Sequence, residues 1–268
     1  MIILKKCRSL LLQIRTEKKY LAILFAILCF VFGITTIFIT PPLQGPDEEL
    51  HFIVSRKAAK GDLSETINES LVQFCQMHGY LVAQTHEKYS LDLWKKSLQY
   101  QPSPNEKKYL CKQITFYAIP SYLPATIGIG LSQFFSNRYA PAMYAGRIFC
   151  LLTYIALGTL TLLVLPGGHS FIFLLLLMPQ SIFQASVISY DGITNGAMAL
   201  WAALLFRDVF TQDDRPKQIS NALIASSLLL VFCKVPYMIV SVSLLFLFFI
   251  KNISGKTKFI LPILCSLF

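Results

Sequence analysis

A cluster of acidic side chains follows the first long apolar segment of the sequence. Asp47, Glu48 and Glu49 come directly after a stretch rich in proline and glycine that stops a helix, and His51 follows two residues later. Carboxylates held beside a membrane surface can take a proton from a hydroxyl group or bind a divalent cation. The same acids also suit a helix start, with Asp47 as the N-cap and the glutamates at the positive end of the helix dipole. The sequence leaves both interpretations open.

A second set of polar residues lies at the junctions of later apolar segments. Asp191 and Asn195 fall within residues 189–195, between two apolar runs, and Lys234 interrupts a later run shortly before Tyr237. An ionisable group at membrane depth is a candidate for a functional role. Asp191 could instead serve as the N-cap of the helix that follows it.

These residue types suit the transfer of a group from a lipid-linked donor. The acceptor hydroxyl must lose a proton, which Asp47 can take, and the departing lipid phosphate must be stabilised by a cation such as Lys234 or a divalent metal ion. We therefore predict catalytic roles for Asp47 and Glu48, with Asp47 as the candidate metal ligand. The predicted substrate-binding residues are His51, Asp191, Asn195, Lys234 and Tyr237.

The composition predicts that membrane helices position these residues. Hydrophobic residues make up 54% of the chain and charged residues only 14%, whereas soluble domains carry about 25% charged residues. The predicted fold class is all-α: a polytopic transmembrane helix bundle with a large extracytoplasmic first loop that contains short surface helices. The net charge of +10 is gathered at the ends of apolar segments, which orients a chain in a bilayer, so it does not indicate nucleic-acid binding.

Charge and hydropathy divide the chain into four parts and predict a multi-pass protein of the inner (plasma) membrane. The parts are a basic cytoplasmic N-terminus at 1–19, a first transmembrane helix at 20–40, an extracytoplasmic loop at 41–115 and a multi-span region at 116–268. The last apolar run, 259–268, is too short to span a bilayer, so we expect a C-terminally truncated chain.

Within the loop, residues 50–59 have an apolar side and are predicted to form a helix on the membrane surface. Arg56 and Lys57 would then reach the lipid head groups.

The membrane topology contains a conflict. The distribution of basic residues puts Asp191 on the outer face, but three predicted spans, 117–135, 144–165 and 170–188, separate it from the outer loop and would place it inside. Either one of the three is re-entrant, or the distribution of basic residues is misleading here. The segment 170–188 is the candidate, because Pro179 predicts a broken helix there.

The motif Pro-Asp-Glu-x-x-His-Phe at residues 46–52 resembles a family of bacterial predicted membrane proteins of unknown function. In that family the motif follows the first span. Other short matches follow in order along residues 20–240: Tyr117 with Tyr122-Leu123-Pro124, Gly146-Arg147, Met178-Pro179-Gln180-Ser181, residues 189–195, and Lys234 with Pro236-Tyr237.

The arrangement also resembles the C-type glycosyltransferases, multi-span enzymes that use polyprenyl-phosphate sugars. That resemblance implies that Asp47 is the catalytic acidic residue with Glu48 as its neighbour, and that Asp191 is a second acidic position on the outer face. It also implies a lipid-linked sugar as the partner, although the chain has fewer spans than such enzymes. A transporter or flippase and a non-catalytic scaffold of envelope polymer assembly remain the alternatives.

Overall fold

The computed structural model begins with one long helix and is helical throughout most of its length. It describes the main chain of residues 2–83, 88–103, 106–111, 119–210, 220–233, 235–237 and 239. These ranges contain one two-stranded antiparallel sheet, in which Thr66 pairs with Leu110 and Asn68 with Lys108. The elements are α1 (Ile2–Ile39), α2 (Glu48–Ala59), β1 (Thr66–Asn68), α3 (Glu69–Ala83), α4 (Leu91–Gln99), β2 (Lys108–Leu110), α5 (Ile119–Gln133), α6 (Tyr139–Val164), α7 (His169–Leu176), α8 (Pro179–Ala185), α9 (Tyr190–Phe210), α10 (Asn221–Cys233) and a 3-10 turn (Val235–Tyr237). The prediction of a helical fold is confirmed.

Two helices in the described ranges are long and apolar enough to cross a membrane, Glu17–Ile39 within α1 and Tyr139–Val164 in α6. They pack antiparallel, as two contacts show. At one end the Lys18 ammonium group donates to the Leu163 carbonyl (3.0 Å), and at the other the Arg147 guanidinium group donates to the Thr40 carbonyl (2.7 Å). We call these the Lys18 end and the Glu48 end, since Glu48 contacts Arg147.

The broken helix predicted for residues 170–188 is confirmed. Helix α7 ends at Leu176 and α8 begins at Pro179, whose ring and missing N–H prevent a continuous helix. The break frees the Leu176 carbonyl, which accepts a hydrogen bond from the Tyr154 hydroxyl group of α6 (2.8 Å). Together α7 and α8 return the chain from the Lys18 end to the Glu48 end, where α9 begins, so the segment 170–188 is not re-entrant as predicted.

Helix α5 stays at the Glu48 end of the structure. It starts beside the Glu48 end, where the Tyr122 hydroxyl group lies 2.7 Å from His51 Nδ1. It is followed by a turn in which the Asn137 carbonyl accepts from Arg56 of α2 (3.0 Å). Its 15 residues therefore do not lead to the Lys18 end, unlike the predicted span 117–135. Asp191, at the start of α9, lies at the same end of the structure as Asp47.

Helix α2 is buried rather than lying on the surface as predicted. Arg56 and Lys57 are only 3% and 5% exposed, so they do not extend toward head groups. The Arg56 guanidinium group lies 4.4 Å from the centre of the Tyr139 ring. The Lys57 ammonium group donates to Asp62 (2.6 Å), Ser64 (3.1 Å) and the Thr66 carbonyl (2.6 Å). Each buried cation therefore has partners that compensate for the water it has lost.

The Lys57–Asp62 pair predicts a pH-dependent stability. Burial alone would raise the pKa of Asp62, but hydrogen bonds from Lys57 and Ser64 together with the Lys57 charge lower that pKa from 3.8 to about 2. The ionised carboxylate therefore stabilises the fold above about pH 4, and this contribution is lost as the pH falls through about 2. We expect Asp62→Asn to lower the thermal unfolding midpoint at pH 6 and the difference from wild type to shrink as the pH falls from 4 to 2. Asp92→Asn, at an exposed carboxylate on α4, serves as the control, and an Asp62→Asn effect independent of pH would contradict the assignment.

The contact between α5 and α6 depends on a close backbone approach at Gly128. A Cβ atom added there would lie 2.5 Å from the Ala145 carbonyl oxygen, and backbone cannot move aside as a side-chain tip can. The next glycine, Gly130, has only the Ala59 Cβ atom nearby, at 4.0 Å. We expect Gly128→Ala to lower the thermal midpoint of the purified protein. Gly130→Ala should leave the midpoint unchanged or raise it, because alanine adds up to about 1 kcal/mol of helix propensity relative to glycine. Equal effects of the two substitutions would show that the approach at Gly128 is not tight.

Candidate functional site

A fully buried ion pair between Glu48 and Arg147 forms the centre of the Glu48 end. The guanidinium group donates from Nε to Glu48 Oε1 (2.7 Å) and from Nη2 to Oε2 (2.6 Å), so the pair is bidentate. Both side chains have no exposed surface. This geometry is the strongest that an arginine and a carboxylate can adopt.

Arg147 also completes the end of helix α1. Its remaining donors contact the carbonyl oxygens of Ile37 (3.0 Å), Thr40 (2.7 Å) and Pro41 (2.9 Å). The last carbonyls of a helix lack partners within the helix and carry its negative partial charge. The arginine thus satisfies these acceptors and neutralises the helix terminus at once.

Glu48 joins two further segments to this centre. Its oxygens accept from the backbone N–H of Gly45 (3.1 Å) and of Ile188 (2.9 Å). Gly45 itself packs so closely on Val187 that an added Cβ atom would lie 2.9 Å from the valine Cβ. The four acceptor positions of the carboxylate are therefore occupied, and the pair connects the loop after α1, helix α6 and the segment before α9.

Asp47 precedes this buried carboxylate in an unusual backbone conformation. Its φ angle of 52° lies in the left-handed region, which few residues other than glycine adopt. It occupies the N-cap position of α2, but its side chain makes no capping hydrogen bond and is exposed. The N-cap position was correctly predicted, whereas the capping hydrogen bond is absent. Its neighbour Glu48 holds the turn that presents the Asp47 carboxylate outward.

Three aromatic side chains connect this turn to the start of α9. The buried His51 ring is hydrogen bonded through Nδ1 to the Tyr122 hydroxyl group and packs edge-on against Tyr190 with ring centres 4.7 Å apart. Asp191 directly follows Tyr190 and is half-buried. It lies in the first turn of α9 and is not the N-cap; instead its N–H donates to the hydroxyl group of Ser189, which precedes the helix (3.0 Å). Asp47, His51 and Asp191 are thereby brought to one end of the protein.

The other predicted substrate-binding residues lie further along the chain. Asn195 is exposed one turn beyond Asp191 on α9, so the two share a helix face, and its side-chain amide donates to Gln184 (2.7 Å). Tyr237 ends the short 3-10 turn after α10. Lys234 lies outside the described residues. The roles predicted for these residues stay predictions.

A family model described as "Predicted membrane protein (DUF2142)" matches residues 30–267. The chain belongs to the DUF2142 family. The family resemblance inferred from the motif at 46–52 is thus confirmed, and the buried ion pair belongs to a membrane protein. The comparisons with curated proteins and with solved structures gave no match.

Sequence reasoning missed Arg147 as the partner of Glu48 in this DUF2142 chain. The sequence did contain a signal, because Arg147 is the single charged residue in the apolar helix Tyr139–Val164. A lone charge in such a helix requires a partner of opposite sign. Tyr122 was noticed in a short motif, but its bond to His51 follows only from the packing of α5 on α2.

The site contains few side chains that could bind a metal ion. No group of three or more His, Cys, Asp or Glu side chains lies close enough to hold a metal ion among the described residues. Glu48 has no acceptor position left, so a divalent cation at this end would depend on Asp47 and on oxygen atoms of the substrate. Metal binding by Asp47 stays a prediction.

Proposed function

We propose that this chain is an integral-membrane glycosyltransferase that moves a sugar from a polyprenyl-phosphate donor to a cell-envelope acceptor on the extracytoplasmic face. The observation that carries the proposal is the exposed Asp47 carboxylate on a left-handed turn, held against α1, α6 and the start of α9 by the Glu48–Arg147 pair. A carboxylate fixed in this way is preorganised for proton transfer.

The proposed topology is polytopic. Helix α1, helix α6, the broken pair α7–α8 and helix α9 each cross the bilayer, while the 15-residue α5 and the 13-residue α10 are too short to do so alone. The basic residues before Glu17 place the Lys18 end in the cytoplasm. Asp47 and Asp191 then share the outer face, where a lipid-linked sugar is available.

The proposed reaction assigns a role to each predicted residue. The acceptor oxygen attacks the anomeric carbon, the bond from that carbon to the phosphate oxygen breaks, and the acceptor proton passes to Asp47. Asp191 and Asn195 contact the sugar from one face of α9, and His51 supports them through Tyr190. Lys234 and Tyr237 stabilise the departing lipid phosphate, and a divalent cation, if held by Asp47, would supply further positive charge there. Glu48 acts as a positioning residue for Asp47.

A transfer assay tests this proposal. Membranes containing the full chain are incubated with a panel of polyprenyl-phosphate hexoses that are radiolabelled in the sugar, and the label recovered in material insoluble in organic solvent is measured. Transfer above that of membranes lacking the protein, with at least one donor, is expected. Label that stays on the lipid for the whole panel would contradict the proposal.

The break between α7 and α8 favours a second candidate, a transporter or flippase. Helices broken at membrane depth often line substrate paths, and Asn195 of α9 donates to Gln184 near the end of α8, the helix that follows this break. Cysteines placed at 184 and 195 would then change their accessibility from the two sides during turnover. Accessibility from one side only, under all conditions, would exclude alternating access.

A further inference from the structure

Helix α5 has an exposed apolar face although it does not reach the Lys18 end. Its exposed residues recur at helical spacing on one side, with Leu123, Ile127 and Leu131 about half exposed and Phe134 and Phe135 at 84% and 92% in the following turn. The opposite side of the helix is buried at Tyr122, Ala125 and Ile129. We call Leu123, Ile127, Leu131, Phe134 and Phe135 the α5 stripe.

The neighbouring helix α10 has a similar row of exposed apolar side chains. Ile224, Leu228 and Phe232 are exposed at a spacing of four residues. The two helices touch where the Ser121 hydroxyl group of α5 donates to the Phe232 carbonyl (3.2 Å). Helix α10 therefore packs against the start of α5, and each helix exposes an apolar row of its own.

The length and the ends of α5 decide what covers this surface. Fifteen residues of α-helix extend about 22 Å, which is shorter than the roughly 30 Å hydrocarbon core of a bilayer. The stripe closes with two phenylalanines, and the exposed polar residues Asn137 and Arg138 follow directly. Such a change from aromatic to polar residues is typical of the border between acyl chains and head groups.

We propose that α5 inserts into one leaflet of the bilayer only, the leaflet at the Glu48 end, with the α5 stripe facing acyl chains and Phe134 and Phe135 at the head-group border. The inference rests on the proposed topology but not on sugar transfer. Lipid is the occupant because α1 and α10 expose similar rows of large apolar residues in a chain of a membrane-protein family. Since Tyr122 on the buried side of α5 contacts His51, acyl chains come within about one helix diameter, roughly 10 Å, of the candidate site.

Depth-dependent fluorescence quenching tests the insertion. Single cysteines at 127, 131 and 135, in the full chain without other cysteines, are labelled with an environment-sensitive fluorophore and reconstituted into phosphatidylcholine vesicles. Some vesicles contain lipids with a nitroxide near the head group and others contain lipids with a nitroxide near the acyl terminus. We expect quenching by the deep nitroxide to increase in the order 135, 131, 127, because every four residues of helix add about 6 Å of depth, and we expect 135 to be quenched mainly by the shallow nitroxide.

Two positions calibrate the measurement. A label at Ile27, exposed in the middle of the α1 span, should be quenched mainly by the deep nitroxide, and a label at Lys95, exposed on α4, by neither. Shallow quenching of equal strength at 127, 131 and 135 would show a helix lying along the interface and would overturn the proposal. The absence of lipid quenching at all three positions would overturn it as well, and cross-linking of the same cysteines between copies would then identify a second chain as the occupant. Size-exclusion chromatography of each variant checks that it is folded, and the transfer assay reports separately on the proposed activity.

Discussion

Replacing Glu48 by glutamine is expected to lower the free energy of unfolding by about 3–5 kcal/mol, the range seen when one partner of a buried ion pair is removed. Arg147 would then keep a buried positive charge without a carboxylate, and the Gly45 and Ile188 N–H groups would lose an ionised acceptor. The thermal midpoint in detergent should fall by roughly 10 °C for a chain of this size. Because most proteins are only about 5–15 kcal/mol stable, the variant should also accumulate poorly in membranes.

The neighbouring carboxylate provides the matched control. Glu49 is exposed, so Glu49→Gln should change the stability by less than about 1 kcal/mol. Arg147→Met should lower the free energy of unfolding at least as much as Glu48→Gln does, because the carbonyls of Ile37, Thr40 and Pro41 also lose their hydrogen-bond donor. Combining Arg147→Met with Glu48→Leu removes both charges and should recover only part of the loss, since those carbonyls stay without their arginine. A Glu48→Gln protein as stable as the Glu49→Gln protein would show that the pair does not hold the site together.

Replacing Asp47 by asparagine or glycine is expected to reduce sugar transfer by at least about 100-fold, the lower limit for the loss of a general base, without lowering the thermal midpoint. Both residues tolerate the left-handed conformation at φ 52°, so the turn survives while the carboxylate is removed. Alanine at the same position lacks that tolerance and should cost about 1 kcal/mol of stability in addition. The measurement is the initial rate of label transfer from polyprenyl-phosphate hexose, normalised to the amount of folded protein.

Asp92→Asn removes an exposed carboxylate from α4 and should leave the transfer rate unchanged. Comparison with Glu48→Gln separates chemistry from folding, since that variant should lose activity in proportion to folded protein. If Asp47→Asn retains the wild-type rate per folded molecule, the carboxylate takes no part in the reaction and Asp47 serves only the turn.

Local sequence patterns were sufficient for features that depend on neighbours in the chain. The proline at 179 predicted the break between α7 and α8, because a missing N–H and a steric clash act within one turn. The apolar composition predicted a helical membrane protein, since only a helix satisfies its own backbone groups in lipid. The motif at 46–52 was sufficient to identify the family.

Only the tertiary structure determined which residues distant in sequence contact each other. Glu48 and Arg147 are 99 residues apart, and nothing in the spacing of either residue shows which opposite charge it will meet. Hydropathy also misplaced α2, because it measures how apolar a segment is and not whether other parts of the protein cover it. Arg56 and Lys57 were expected at the head groups for that reason, yet tertiary partners made their burial favourable. The sequence by itself determined that these helices form and that acids follow the first of them, whereas packing determined that Glu48 faces inward to Arg147 and Asp47 faces outward.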